Sequence, residues 1–77
     1  MSLRHVTLHQ LRIFTVLARH LNMTRAAREL HQTPAALSIQ IKQLAEYAGA
    51  PLYEQVGKKL FLTASGEAVE RAGRDIL

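Results

Sequence analysis

The sequence predicts a mainly α-helical domain, a winged helix-turn-helix made of a three-helix core, a small β-hairpin wing and a following linker helix. Three observations predict it. Apolar residues recur at helical spacing in three successive segments, and only Gln32 and Thr33 separate the second segment from the third. Two short β-prone stretches then flank a turn that contains Gly57. With 77 residues, the chain has room for one small domain.

The first helix is expected to run from Leu8 to His20. Thr7 and Gln10 have the spacing of a capping box, in which a Thr hydroxyl and a Gln amide satisfy each other's backbone N–H groups. The predicted inward stripe consists of apolar residues at helical spacing, namely Leu8, Leu11, Phe14, Leu17, Ala18 and Leu21, widened by Ile13 and Val16.

The second helix is expected from Thr24 to His31, with Asn22 or Thr24 as its cap. Ala26, Ala27 and Leu30 form its inner face. Because two adjacent alanines leave little side chain between backbones, another helix can approach this segment closely.

The third helix has the clearest boundaries. Thr33 is a favourable N-cap, Pro34 suits the first helical position, and Gly49 followed by Pro51 ends the helix. Its inner face holds Leu37, Ile41, Leu44 and Ala48, and its opposite face holds Ala35, Ser38, Ile39, Lys42 and Glu46. A helix that presents small and polar residues near its start suits the major groove of DNA. The alternative is an ordinary amphipathic helix with a solvated face.

The segment from Leu52 to Leu62 predicts a hairpin whose turn directs Lys58 and Lys59 outward. Thr63 can cap a last helix that starts at Ala64. A narrow stripe of mostly small residues follows, and it can pack against a second copy of the chain or against the first helix; it consists of Val69, Ala72, Gly73 and Ile76. Since this pattern stops in mid-helix at Leu77, we expect the chain to be part of a longer protein.

Charge and composition narrow the possible partners. Of ten basic residues eight lie in residues 1–61, but only three of six acidic residues do, so the positive charge coincides with the helix-turn-helix and favours a polyanionic partner.

The chain has no cysteine, which excludes disulfides and thiolate metal sites. His5 and His9 lack a third ligand, and Ser38 lacks a histidine and an acid at catalytic spacing, so we expect no metal, no cofactor and no enzyme. No apolar run approaches a membrane span and no signal peptide begins the chain, so we expect a cytoplasmic protein.

Short motifs along essentially the whole chain resemble the N-terminal DNA-binding domain of LysR-type transcriptional regulators. They are Leu8-His9-Gln10-Leu11-Arg12-Ile13-Phe14, Met23-Thr24-Arg25-Ala26-Ala27, Leu30-His31, Ala36-Leu37-Ser38-Ile39-Gln40-Ile41, Pro51-Leu52-Tyr53-Glu54 and Leu62-Thr63-Ala64-Ser65-Gly66. The segments 40–44 and 54–63 look most like the branch that regulates carbon-fixation operons.

The resemblance implies sequence-specific binding of double-stranded promoter DNA by a homodimer. Residues 1–62 would form the winged helix-turn-helix, with helix 34–48 in the major groove and wing 55–60 on the backbone or minor groove. Residues 63–77 would begin the dimerisation and linker helix. A C-terminal domain outside this chain would bind a small-molecule co-inducer, the full-length protein would form a higher oligomer, and the regulator would act at the bacterial nucleoid.

We expect the following residue roles from the outward face of the third helix, the wing, the stripe of the last helix and the resemblance to the family. The base-reading residues are Thr33, Pro34, Ala35, Ser38 and Ile39. The phosphate and wing contacts are Thr24, Arg25, Lys42, Gln55, Lys58 and Lys59. The dimerisation residues are Val69, Ala72, Gly73 and Ile76. Three departures from the family stand out: Pro34-Ala35 replaces a usual Gln-Pro, Ile39 stands where many members have Arg, and Gln55 replaces a common wing Arg.

The competing function is a helical protein-interaction module whose basic face is incidental. In that interpretation Lys58 and Lys59 belong to a solvated turn, and Thr24 and Arg25 to a capped first turn of a helix. Salt-dependent binding with preference for a symmetric promoter site distinguishes the two functions.

Overall fold

The computed structural model describes residues 5–77, which form four helices and one two-stranded antiparallel sheet. The elements in chain order are α1 Leu8–His20, α2 Met23–Glu29, α3 Pro34–Ala48, β1 Tyr53–Val56, β2 Lys59–Leu62 and α4 Ala64–Ile76. The predicted winged helix-turn-helix with a following helix is confirmed.

Helix α1 lies at the centre and packs against α2, α3 and α4. The predicted capping box is present: the Gln10 N–H donates to Thr7 Oγ1 over 3.1 Å, and the Thr7 N–H donates to Gln10 Oε1 over 3.2 Å. The predicted stripe needs a correction at both ends, because Leu8 and Leu21 are exposed. Leu21 adopts a left-handed backbone (φ 50°) beyond the helix, and the widening residues of the stripe are buried instead.

Helix α2 is shorter than predicted, since it starts at Met23 and ends at Glu29 rather than at His31. Asn22 caps its start by accepting the Arg25 N–H over 2.9 Å. Its end is set by His31, whose positive φ of 56° no continuing helix tolerates. The Gln32 N–H then donates to the Ala27 carbonyl over 2.9 Å, which closes a Schellman-type turn of the kind that usually has glycine at the left-handed position.

Helix α3 has the predicted bounds and the predicted cap, with the Ala36 N–H donating to Thr33 Oγ1 over 3.1 Å. All four residues of its predicted inner face are buried, against the alanine pair of α2 and the centre of α1. This packing joins α2 and α3 into a rigid helix-turn-helix.

The hairpin pairs Tyr53 with Leu62 and Val56 with Lys59. Its inner side is anchored by Leu60, which is buried in the core. Its outer side carries Val56 and Phe61, both exposed. The wing is therefore a two-stranded ribbon held on one face only.

Helix α4 is locked to the base of the wing at its start. Thr63 Oγ1 donates to the Pro51 carbonyl over 2.6 Å, and the Gly66 N–H donates to Thr63 Oγ1 over 3.0 Å. A Cβ at Gly66 would lie 1.9 Å from the Leu52 carbonyl oxygen, so this position admits only glycine without a backbone shift.

The middle of α4 packs on α1. Val69 is buried, and Gly73 is covered so closely that a Cβ there would lie 3.0 Å from Thr15 Oγ1. Val69 and Gly73 therefore pack on α1 within one protomer, which is one of the two packing partners that the sequence leaves open, and their part in a dimer contact stays a prediction. Of the predicted stripe, Ile76 is exposed and Ala72 is half-buried.

Among residues 5–77, no helix has both the length and the hydropathy needed to cross a membrane.

Candidate nucleic-acid interface

The outward face of α3 is a row of exposed side chains that starts at its capped end. Thr33, Pro34 and Ala35 are exposed, and one turn later Ser38 is half-buried and Ile39 has 68% of its surface exposed. Because Thr33 Oγ1 accepts the capping N–H, its own hydroxyl proton is left to donate outward. The face therefore offers two hydroxyls among apolar side chains.

Two shallow depressions lie next to the wing, and the first of them borders this face. One, of about 210 Å³, lies between α3 and the start of β1, and its polar lining side chains are Ser38, Lys42 and Tyr53. The other, of about 220 Å³, lies between the start of α2 and the wing, and its lining includes Thr24 and Lys58. Hydroxyl and ammonium donors at such places are the groups that hold DNA phosphates.

The second depression brings three predicted contacts together. Thr24 from α2 meets Gln55 and Lys58 from the wing, with the Asn22 cap beside them. The Gln55 amide nitrogen donates to the Gly57 carbonyl over 3.5 Å, which holds that side chain over the wing turn. Residues more than thirty positions apart in the chain thus form one surface.

Two predicted contacts lie elsewhere. Arg25 lines a separate depression of about 290 Å³ with His20, Arg28 and Glu29, at the corner between α1 and α2. Lys59 projects from the outer side of the hairpin, opposite Val56. The structure therefore separates Thr24 from Arg25 and Lys58 from Lys59, although each pair is adjacent in the sequence.

The corner between α1 and α2 is an ion-pair cluster. Glu29 accepts from His20 Nε2 over 2.8 Å and from Arg19 over 2.6 Å. The hydrogen bond from His20, followed by that from Arg19, lowers the pKa of Glu29 below its ordinary value. Glu29 is thereby kept ionised and fixed to α1.

Sequence reasoning missed two residues that lie beside α3. Tyr53 had only been assigned to a strand, and its place beside Ser38 depends on how the hairpin folds against α3. Gln10 was recognised as a capping residue, but its side chain also reaches α3, where it donates to Gln43 Oε1 over 3.0 Å. No local pattern marks a contact between residues 33 positions apart.

Within the described part of the chain, no three histidine, cysteine or carboxylate side chains cluster in a way that could hold a metal ion.

A family model described as bacterial regulatory helix-turn-helix protein, lysR family, matches residues 8–67, which span the three-helix core, the wing and the start of α4. The chain belongs to the lysR family. This lysR domain is similar to two curated transcriptional regulators. It is 62% identical over 77 residues to a RuBisCO operon transcriptional regulator of Acidithiobacillus ferrooxidans, covering 100% of this chain and 25% of the relative. It is 45% identical over 74 residues to the transcriptional activator CmpR of Synechocystis, covering 96% of this chain and 24% of the relative.

Solved structures have the same fold as this lysR domain. A CbnR_DBD–DNA complex superimposes with a TM-score of 0.86 at 31% identity, covering 92% of this chain and 82% of that chain. Vibrio fischeri DarR in complex with DNA gives 0.87 at 32% identity, covering 94% of this chain and 25% of that chain. The lysR chain spans about a quarter of the length of the curated relatives it matches.

Proposed function

We propose that this lysR domain binds promoter DNA in a sequence-specific manner, with α3 in the major groove and the wing on the flanking backbone or minor groove. The observation that carries the proposal is the exposed face of α3, where Ile39 stands 68% exposed among small side chains on the helix that follows the turn. Covering an isoleucine so exposed would remove apolar surface from water, so this face favours binding to a partner. The likeness to structures of CbnR_DBD and DarR with DNA supports the duplex as that partner.

Base reading on this face has few hydrogen bonds. Thr33 and Ser38 can each donate to or accept from several base edges, so neither selects one base strictly. Pro34, Ala35 and Ile39 make only apolar contacts, and the thymine C5-methyl is the apolar group that the major groove offers. Sequence preference should therefore combine thymine methyl contacts with DNA shape and deformability.

Affinity comes from phosphate contacts around that face. Lys42 lies beside Ser38 on the wing side of α3, and Lys58 shares a depression with Thr24 and Gln55. Arg25 and Lys59 lie to either side of this surface and would reach more distant phosphates. Four or five such contacts predict a slope of log affinity against log salt of roughly −4.

A dimer would supply the second half-site. The exposed end of α4, with Ile76 and Leu77, and the half-buried Ala72 offer apolar surface to a second copy of the chain. Val69 and Gly73 would contribute indirectly by fixing α4 on α1. Two copies would address half-sites about one helical turn apart, ~34 Å, or a multiple of that distance.

The wider biology follows from the family. We infer a bacterial cytoplasmic regulator, associated with the nucleoid, that is no enzyme and that acts on a carbon-fixation operon. The name of the Acidithiobacillus ferrooxidans relative, a RuBisCO operon transcriptional regulator, supports that target. A co-inducer would bind a C-terminal domain outside these 77 residues, and the full-length protein would form a higher oligomer.

Selection from a random duplex pool tests the proposal. The chain should enrich sites with two related half-sites, and its affinity for the best site should exceed that for random duplex by a factor of at least about 10³ at physiological salt. Ser38→Ala should reduce this ratio more than it reduces the affinity for random duplex. If the best site never exceeds random duplex, specific regulation fails as the function and the protein-interaction module takes its place.

A further inference from the structure

Gln10 is the only buried polar side chain among residues 5–77, with 5% of its surface exposed. A buried amide costs free energy unless each of its donors and acceptors has a partner. Gln10 contacts α3, the helix that we propose enters the major groove. The role that we infer for Gln10 therefore rests on the proposed function.

The capping box fixes which way the Gln10 amide points. Its Oε1 accepts the Thr7 N–H at the start of α1, so its Nε2 is turned toward α3. There it donates to Gln43 Oε1 over 3.0 Å and to Gln40 Oε1 over 3.4 Å. The oxygen of this buried amide thus binds the start of α1, and its nitrogen binds the middle of α3.

The network extends one residue further along α3. Gln43 Nε2 donates to the Tyr47 hydroxyl over 3.0 Å, so Gln43 is held through both ends of its amide. We name this set of Gln10, Gln40, Gln43 and Tyr47 the amide clamp. In the described residues, no buried side-chain nitrogen or oxygen lacks a partner, and this includes the amide of Gln10 at the centre of the clamp.

The clamp acts on the flank of α3 next to the base-reading face. Gln40 follows Ile39 directly, and Gln43 lines a surface depression with Ile39 and Lys42. The buried face of α3 is aliphatic, and apolar packing is largely non-directional, whereas hydrogen bonds fix direction. The amides are therefore the contacts best suited to fix how far α3 is rotated about its own axis.

We infer that Gln10 is a positioning residue for DNA recognition. Through the amide clamp it sets the rotation of α3, so that Ser38 and Ile39 face the base edges in register. Gln10 lies on α1 and outside the exposed recognition face, so it acts through α3 and not by touching a base. Fully connected polar contacts of this kind can define one arrangement among several that apolar packing allows.

Gln10→Leu tests the inference, because leucine keeps the apolar bulk and removes every hydrogen bond of the side chain. The probes are the best duplex selected from a random pool and a random duplex of equal length. We expect the ratio of the two affinities to fall about tenfold, the loss of one good base contact, with the random-duplex affinity unchanged within about twofold. Val16→Ala is the matched control: it weakens the buried side of the same helix, touches no amide, and should leave the ratio unchanged.

Gln10→Glu is the rescue variant. A glutamate oxygen still accepts the Thr7 N–H, and the Gln43 amide, turned over, donates its Nε2 to the carboxylate while its oxygen accepts from the Tyr47 hydroxyl. The added negative charge weakens binding to both duplexes alike, so it leaves the ratio of the two affinities unaffected. This ratio should therefore return to most of its original value. A ratio as low as that of Gln10→Leu overturns the inference.

Side-chain amide resonances of the free chain test the clamp without DNA. The Gln10 side-chain NH₂ protons should exchange slowly with solvent, and Gln10→Leu should shift the amide resonances of Gln40 and Gln43. Fast exchange of the Gln10 protons overturns the clamp while leaving the proposed function intact. If the clamp is present in the free chain but the original chain prefers no duplex, the proposed function is wrong, and the positioning role is wrong with it. Positioning is also contradicted if Gln10→Leu loses the same affinity for both duplexes. It is likewise contradicted if Val16→Ala lowers the affinity ratio as much as Gln10→Leu does.

Discussion

The two faces of α3 differ in what they require of their residues. On the inner face, Leu37, Ile41 and Leu44 are each at most 1% exposed, and their shape is matched by the packing around them. On the outer face, Ile39 is 68% exposed, and within residues 5–77 no side chain buries it. The same helical periodicity produces both faces, but the inner face determines whether the helix holds its place and the outer face what the helix can bind.

Ile41→Ala and Ile39→Ala give this comparison its sharpest form, since the same substitution falls two residues apart. Ile41→Ala should lower the free energy of unfolding by about 2–4 kcal/mol, because it leaves a cavity in the core. Ile39→Ala should change it by less than about 0.5 kcal/mol, as expected for a surface site. Thermal and urea unfolding measure both, and equal losses would contradict the assignment of the two faces.

Lys58→Ala combined with Lys59→Ala should weaken binding alike on every sequence and flatten the salt slope by about 2, because two phosphate contacts are lost. Stability should not change, since both side chains are exposed. Fluorescence anisotropy across a salt series measures the slope.

The single variants refine this prediction. Lys58 shares a depression with Thr24, whereas Lys59 lies on the outer side of the hairpin, so Lys58→Ala should account for more of the loss. A larger effect of Lys59→Ala would mean that the wing meets DNA through its outer side.

Ile39→Ala should also reduce affinity for the selected duplex about five- to tenfold, the low end of what one good base contact is worth. Random duplex should be bound within about twofold of the original affinity, because no phosphate contact is lost. Equal losses on the two duplexes would remove Ile39 from base reading.

His31→Gly tests the turn between α2 and α3, which holds α3 and both of its faces in place. Glycine adopts the left-handed conformation of His31 without strain, so the free energy of unfolding should rise by about 0.5–1 kcal/mol. His31→Ala, which keeps a Cβ, is the matched control and should give no such gain. A glycine variant no more stable than the alanine variant would show that His31 is not strained.

Glu29→Gln tests the corner away from both faces and should have the smallest effect. Because the hydrogen bonds from His20 and Arg19 lower the pKa of Glu29 in the folded chain, the ionised carboxylate stabilises the fold at neutral pH, and this contribution is lost as the pH falls through that lowered pKa. The difference in Tm between the original chain and Glu29→Gln should therefore be present at neutral pH and disappear in acid. A difference that grows on acidification would contradict the pairing.

Local signals account for how much of the fold the sequence predicted. The cap residues Thr7, Thr33 and Thr63 and the stop at Gly49 act within one helical turn, and all were placed correctly. The end of α2 was missed because His31 occupies a left-handed position where glycine is the usual signal.

The parts that failed depend on contacts distant in sequence. For Val69 and Gly73 the sequence left a dimer contact and packing on the first helix both open, since a stripe of small residues looks the same whether its partner is the same chain or another; in the structure α1 covers both residues. Leu8 and Leu21 fit the helical period but lie beyond the reach of the core. The roles given to individual residues at the DNA surface stay predictions.

The most direct test of the central claim, that the exposed apolar face of α3 reads DNA, is a deoxyuridine scan of the selected duplex. Each thymidine is replaced in turn by deoxyuridine, which removes only the C5-methyl group, and the affinity is measured for the original chain and for Ile39→Ala. Base reading by this face predicts at least one thymidine in each half-site whose replacement weakens binding by the original chain about three- to tenfold. The same replacement should leave binding by Ile39→Ala nearly unaffected. A duplex with no methyl-sensitive position, or one where both proteins lose affinity equally, would contradict it.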